Sequence, residues 1–319
     1  MKLIDLHCDT VSKLSRPWNK GTLLENTYSV DVRRLEQSDA LVQCFSTFFF
    51  SGWIPQPFRW ELASRIAEQR INIYEKNVEC CKGRLIPIHS FDDIRFCMKE
   101  GRVGGLLTLE DGLPIGSSLD KLQHFYERGI RLITLTWNHE NPIGYPNSNE
   151  PDCMEKGLKA FGFEVIEEMN RLGMLVDVSH LSDRGFWDVA ESSRKPFIAS
   201  HSNAREVTAH PRNLTDEMIR TISLKGGVIG LNFCPRFLGT DKKSRISHML
   251  RHIRHIYHKG GEDVLALGTD FDGITGTLQL KSCDELYLLA DALKKHRMSE
   301  RIIEKMWYQN ALRVLQDVL

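Results

Sequence analysis

Residues 174–180 read MLVDVSH, residues 181–195 read LSDRGFWDVAESSRK, and residues 196–201 read PFIASH. Two short apolar runs flank an amphipathic stretch at 182–193, and each run closes on Ser-His. Runs that are apolar throughout and bounded by Gly, Pro, Asp or Asn are the mark of parallel strands buried on both faces, and the stretch between them is the crossover helix. The unit recurs in both directions. Further runs at 3–6, 40–50, 104–109, 131–136, 227–233 and 264–269 bring the number to eight. Amphipathic stretches at 60–82, 119–128, 157–172, 215–224 and 244–259 lie among them, and two more, at 284–295 and 299–318, follow the last run. The pattern predicts an α/β chain folded as a (β/α)8 TIM barrel with extra C-terminal helices. No linker, composition shift or internal repeat divides it, so residues 1–319 read as one domain. The longest interruptions, at 51–59 and 138–155, follow candidate strands on the side where such barrels carry their active-site loops.

Composition narrows the function. Lys plus Arg and Asp plus Glu are 42 each. No global field therefore favours nucleic acid, anionic lipid or an acidic ligand, and recognition has to come from local sites. Hydrophobic residues at 41% and charged residues at 26% suit a folded globular chain and exclude a disordered one. The opening MKLIDLHCDT has no apolar core of a secretion signal, and no run approaches the roughly 20 apolar residues of a membrane span. The closing WYQNALRVLQDVL reads as an amphipathic helix. These features predict a cytoplasmic protein with no membrane partner. The eight cysteines (Cys8, Cys44, Cys80, Cys81, Cys97, Cys153, Cys234, Cys283) are scattered without a C-x-x-C pair and read as free buried thiols of a reducing compartment.

The C-terminal ends of barrel strands are where chemistry gathers, and here they are polar. The first run ends in His7-Cys8-Asp9, the third in Glu110-Asp111-Gly112, the fifth and sixth in Ser179-His180 and Ser200-His201, and the eighth in Asp270-Phe271-Asp272. With a side-chain period of two, His7 and Asp9 project together while Cys8 points away. An imidazole and a carboxylate so placed suit one divalent metal; His180 and His201, from neighbouring strands, suit a second, with Glu110 between them as a bridge. Each residue alone reads as a satisfied core histidine or a helix-capping acid. Together, three imidazoles and three carboxylates near one axis would cost several kcal/mol per uncompensated charge, and metal ions remove that cost. A second histidine group, His248, His252, His255 and His258, lies at helical spacing in the Arg-rich HMLRHIRHIYH and reads as a solvated or interface helix.

In order along the chain, DLHCDT, LTLEDG, LTLTWN, LVDVSHLS, IASHSNAREVTAHPRN and LGTDFDG resemble the motifs of the membrane (renal-type) dipeptidases, peptidase family M19 of the amidohydrolase-like metal-dependent barrels. The resemblance covers nearly the whole chain. It implies two Zn2+ ions per chain, one held by His7 and Asp9, the other by His180 and His201, with Glu110 bridging. It implies Asp270 as catalytic acid/base, and Arg212 as receiver of the carboxylate of a small-molecule dipeptide, often with a D-residue at its C-terminal position. Asp272 competes for the role of Asp270, and a surface loop-stabilising role competes for Arg212. Two metals ~3.5–4 Å apart would share a water, lower its pKa towards ~7 and leave a hydroxide as nucleophile. A homodimer is a further expectation from the resemblance. One departure stands out: animal relatives carry a substrate-contacting histidine directly after the LTLT run, where this sequence has Trp137. Either His139 takes over part of that contact, or Trp137 and Asn138 line a differently shaped pocket. The alternative enzyme is another dinuclear hydrolase acting on cyclic amides, lactones or phosphoesters. RLITLTW has no lysine, which disfavours the subset whose metals are bridged by a carbamylated lysine. A barrel that had lost catalysis would show damaged ligands, and all six polar positions are intact.

Overall fold

The computed structural model describes residues 1–19, 21–50, 52 and 58–319. Its strands, in chain order, are β1 Leu3–Cys8, β2 Ala40–Ser46, β3 Leu85–Pro87, β4 Val103–Glu110, β5 Ile130–Thr134, β6 Leu175–Asp177, β7 Ile229–Leu231, β8 Lys243–Ser244, β9 Leu265–Leu267 and β10 Thr277–Leu278. The main sheet runs β6-β5-β4-β2-β1-β9-β7 with parallel pairing throughout. The seam between β6 and β7 is filled by residues 196–200. Asp177 bridges Ile198 there and Ala199 bridges Ile229, with Ile198 N–H donating to Val176 O at 3.0 Å and Gly230 N–H to Ala199 O at 2.8 Å. The expected eight-segment barrel thus closes, its sixth segment tied by single bridges rather than a full ladder. Closure there is tight: a Cβ at Gly230 or Gly268 would lie 1.9 or 1.8 Å from the Ser200 carbonyl oxygen, so only glycine admits this approach.

Each of the eight segments sends an apolar side chain into one buried cluster, among them Ile4, Val42, Leu106, Leu132, Leu175, Ile198, Val228 and Ala266. Ala311, Val314, Leu315 and Val318 of the last helix, Asn310–Val318, join the same cluster and close the end of the barrel opposite the site. The crossover helices follow the expected periodicity. Arg59–Cys80 buries Ala63, Ala67, Ile71 and Tyr74, a stripe spaced four, four and three. Asp183–Ser192 begins where the Ser182 side chain accepts from Gly185 N–H at 3.1 Å.

Three strands and several helices among the described residues depart from the expected pattern. β3 takes the edge of β4 at Val103–Gly105, below the point where β5 joins at Leu107. β8 and β10 form a separate short pair. The helices Val32–Gln37 and Phe91–Glu100 are additional. The run at 40–50 ends as a strand at Ser46. The interruption at 51–59 lies largely outside the described residues; that at 138–155 carries the short helix Pro151–Met154 and is pinned to the barrel where Asn147 Nδ2 donates to His180 O at 3.0 Å.

Candidate metal centre and active site

Five side chains from four strand ends converge at the mouth. His7 at the end of β1, Asp9 just beyond it and Glu110 at the end of β4 are 0, 3 and 4% exposed; His180 follows β6, and His201 follows the segment 196–200 that fills the closing seam. The carboxylate of Glu110 faces both ways. Its Oε2 lies 3.2 Å from His7 Nε2, and its Oε1 lies 3.2 Å from His180 Nε2 and 3.6 Å from His201 Nε2. His180 Nε2 and His201 Nε2 are 3.1 Å apart, and His7 Nε2 is 3.4 Å from Asp9 Oδ2.

Hydrogen bonds fix the tautomers. Ser200 Oγ donates its only proton to Asp177 Oδ2 at 2.6 Å, so it accepts from His201 Nδ1–H at 2.7 Å. His180 Nδ1–H donates to Asn138 Oδ1 at 3.2 Å. Both Nε2 lone pairs then point at each other and at Glu110 Oε1, an arrangement with no proton to share and a place for a cation. On the other side, His7 Nε2, which faces Asp9 and Glu110, and Asp9 Oδ1 find no hydrogen-bond partner among the described residues. Buried polar atoms left open in this way cost about 1–3 kcal/mol each, and a divalent ion would satisfy them. The residues therefore fit a pair of metal ions by donor type, tautomer and open valence.

The electrostatics divide the centre. Burial, reinforced by Arg212, pushes His180 down to about 4, and burial with the neighbouring His7 and Arg212 charges holds His201 well below its ordinary range. Burial opposes charge on His7 too, but Glu110 and Asp9 outweigh it and hold the ring well above its ordinary value. Burial also works to raise Glu110, yet the His7 charge keeps it below the usual carboxylate range. His180 and Asp270 both sit in the left-handed region, with φ of 69° and 60°, strain of a kind that collects at functional sites.

Asp270 faces the same cavity. Asn232 Nδ2 donates to its Oδ2 at 2.9 Å, and a Cβ at Gly273 would lie 2.5 Å from its Oδ1 and 2.1 Å from Asp9 Oδ2, so glycine keeps both carboxylates clear. Burial pushes Asp270 up to about 7, against the pull of His7 and with Asp9 and Glu110 adding to it. Asp272 is spent elsewhere, accepting from Thr10 Oγ1 at 2.5 Å and Ser29 N–H at 2.9 Å. Arg212, 4% exposed, donates to Ser202 Oγ at 2.7 Å and His201 O at 2.9 Å. Its Nε has no hydrogen-bond partner, and no carboxylate pairs with it among the described residues. The cavity above these groups measures about 460 Å³.

Trp137 lines that cavity, packed on Phe48 at 4.9 Å and edge-on to Phe50 at 5.3 Å between ring centroids. Asn138 lines it too. His139 stands behind, edge-on to Phe50 at 6.5 Å, and is not among the lining side chains. The second histidine group is not simply a solvated helix. His252 is fully buried, its Nδ1 accepting from Ala204 N–H at 3.1 Å and its Nε2–H donating to Leu238 O at 3.2 Å, while His255 meets Asp216 at 2.6 Å. All eight cysteines are free; Cys80 is exposed, and Cys234 is only half-buried and lines the cavity.

Sequence reasoning missed the support behind the histidines. Asp177 accepts from Thr134 Oγ1 and Ser200 Oγ, both at 2.6 Å, and from the N–H groups of Ser200 at 2.8 Å and Ser179 at 3.0 Å. Its signal was an aspartate inside an otherwise apolar run, which can be buried only if saturated with donors. Asn232, inside 227–233, carried the same kind of signal.

A closed parallel barrel whose mouth gathers three imidazoles and three carboxylates defines a metal-dependent hydrolase. The sequence profile of Membrane dipeptidase (Peptidase family M19) matches residues 1–319, and the chain belongs to that family as a metallo-dipeptidase. The uncharacterized protein in the pqqA 5′ region of Klebsiella pneumoniae is 35% identical over 260 residues, 78% of this chain and 95% of that one. Of solved structures, a metallo peptidase from Rhodobacter sphaeroides liganded with a phosphinate mimic of the dipeptide L-Ala-D-Ala superposes with a TM-score of 0.88 at 26% identity, covering 100% of this chain and 99% of that one. Dipeptidase AC, a metallo peptidase of family M19, superposes with a TM-score of 0.90 at 29% identity over 100% and 98% of the two chains. No helix among the described residues is long and apolar enough to cross a membrane.

Proposed function

We propose that this dipeptidase holds two zinc ions per chain and hydrolyses free dipeptides, including those with a C-terminal D-residue. The observation that carries the reading is the double-sided Glu110, with the opposed Nε2 atoms of His180 and His201 on one oxygen and His7 on the other. His7 and Asp9 would hold one ion, His180 and His201 the second, and Glu110 both. When bound, such ions supply Lewis acidity towards the scissile carbonyl and bring a shared water's pKa towards ~7. Arg212, on the cavity wall, offers its guanidinium to the free α-carboxylate of the substrate, which fixes the peptide bond over the centre. Asp270, held by Asn232, takes the proton of the attacking water and returns it to the leaving amine as the C–N bond breaks. The stack of Trp137 on Phe48 and Phe50 screens one side of the site from water. The relative crystallised with an L-Ala-D-Ala mimic supports acceptance of a D-residue.

The test is zinc titration of metal-free protein, followed by rates on L-Ala-L-Ala, L-Ala-D-Ala and their C-terminal amides. Two equivalents of zinc, cleavage of both dipeptides and little cleavage of the amides are expected. Equal rates on a dipeptide and its amide would remove Arg212 as anchor and favour a dinuclear hydrolase of non-dipeptide amides, lactones or phosphoesters.

A further inference from the structure

The acids that line the cavity are Asp9, Glu110 and Asp270, all on its floor; above them the described lining carries Arg212, Arg236 and His210 and no carboxylate. Arg236 lies on the short helix Pro235–Leu238 at the rim, exposed, and its guanidinium has neither an ion pair nor a hydrogen bond among the described residues. The Phe237 ring, next to Arg236 in the chain, binds the other two groups into one wall: Arg212 Cζ is 5.7 Å from its centroid and the His210 ring 4.7 Å. His210 Nδ1 accepts from Arg212 N–H at 3.1 Å. Burial, with Arg212, Arg236 and Arg205, holds His210 below its ordinary value, as expected where positive charge stands unbalanced. Phe48 and Trp137, packed on each other, give the same cavity an aromatic wall.

We propose that Arg236 is a specificity-determining residue that selects dipeptides whose C-terminal residue bears a side-chain carboxylate. The inference rests on the dipeptidase reading above, with the α-carboxylate on Arg212. A residue so anchored carries its side-chain carboxylate only a few bonds away, along the wall that Arg236 and His210 complete. An aspartyl or glutamyl leaving group then gives the rim arginine the counter-charge that no described side chain provides. The aromatic wall is left to the N-terminal residue.

The experiment compares kcat/KM on Ala-Asp and Ala-Asn, and on Ala-Glu and Ala-Gln, each with the C-terminal residue in L and D form, for the wild type, Arg236→Gln and Arg236→Lys. Acid and amide members of a pair have the same shape, so their ratio reports charge and is insensitive to how much protein is active. A ratio of roughly five to ten in favour of the acid is expected in the wild type, as for a partly exposed ion pair, falling towards one in Arg236→Gln and largely kept in Arg236→Lys. A wild-type ratio near one while Ala-Ala is cleaved overturns this inference alone. A preference that survives Arg236→Gln does the same. Failure to cleave any dipeptide, Ala-Ala included, overturns this inference together with the reading on which it rests.

Discussion

Two sets of buried polar side chains stand within a few residues of each other in the barrel, and they are treated in opposite ways. Asp177 receives four hydrogen bonds, and Asp5 receives Thr269 N–H at 2.9 Å, Thr269 Oγ1 at 2.7 Å and Gln43 Nε2 at 3.1 Å. Just above, Asp9 Oδ1, His7 Nε2 and Arg212 Nε are left open although all three residues are buried. Saturated groups hold a barrel together; open ones at the same depth are reserved for something that arrives later. The two sets should therefore fail differently when altered. Asp270→Asn removes the proposed proton carrier beside the open set, so kcat should fall about 10²–10⁴-fold. The zinc content and the denaturation midpoint should stay near wild type. Retention of most turnover would transfer the proton to another group.

Asp177→Ala attacks the saturated set. It strands four buried donors and frees His201 to turn, and the loss of stability should be about 4 kcal/mol. Urea denaturation of the metal-free protein checks this without reference to catalysis. A loss below about 1 kcal/mol would mean that the network around Asp177 is not what holds the seam between β6 and β7.

Histidine offers the same contrast. His252 is saturated and pushed down to about 4 by burial, with the backbone of Leu238 opposing and Arg251, His255 and His248 adding. Because its folded value lies below the ordinary 6.5, the unfolded chain holds the extra proton between about pH 6.5 and 4. Stability is fully present above that window and is lost as the pH falls through it, by about 3 kcal/mol in all. His252→Asn should flatten the fall in unfolding free energy between pH 7 and 4.5 by most of that amount, about 2.5 kcal/mol. Parallel pH curves for variant and wild type would show that His252 is not buried neutral.

These contrasts also explain what the sequence disclosed. The barrel was legible because buried parallel strands are apolar throughout, as at 104–109 and 264–269, and the mouth was legible because polar residues are rare at the ends of such runs. β3 was not, since three residues, Leu85–Pro87, carry no period. The helix Phe91–Glu100 did leave a mark, the Ser90–Asp93 capping box with Gly101 in the left-handed region behind it, but FDDIRFCMKE has a weak apolar stripe, burying only Ile94 and Cys97. His252 was misjudged because an Arg-rich neighbourhood signals solvent, whereas a single helix face decides burial. Side-chain support such as Ser200 on Asp177 joins residues whose pairing depends on the closing seam, and local sequence does not specify that.

The smallest expected effect concerns Trp137, where the open and filled parts of the site meet. Its ring lies 6.3 Å from that of His180, close enough to shape the cavity beside the proposed metal ligands yet contributing no donor atom to them. Trp137→His exchanges an indole packed on Phe48 and Phe50 for a smaller, polar ring, giving up aromatic contacts of about 0.5–1.5 kcal/mol each. The relative kcat/KM for dipeptides with large and small N-terminal residues should shift by about two- to tenfold, because the wall they would rest on is altered. Zinc stoichiometry should remain unchanged, since His180 keeps its Asn138 hydrogen bond and its place against Glu110. Loss of zinc in this variant, measured by elemental analysis, would place the indole in the support of the metal centre and blur the boundary drawn between the two sets. Unchanged preference with full zinc would instead leave Trp137 as packing for the loop that follows β5.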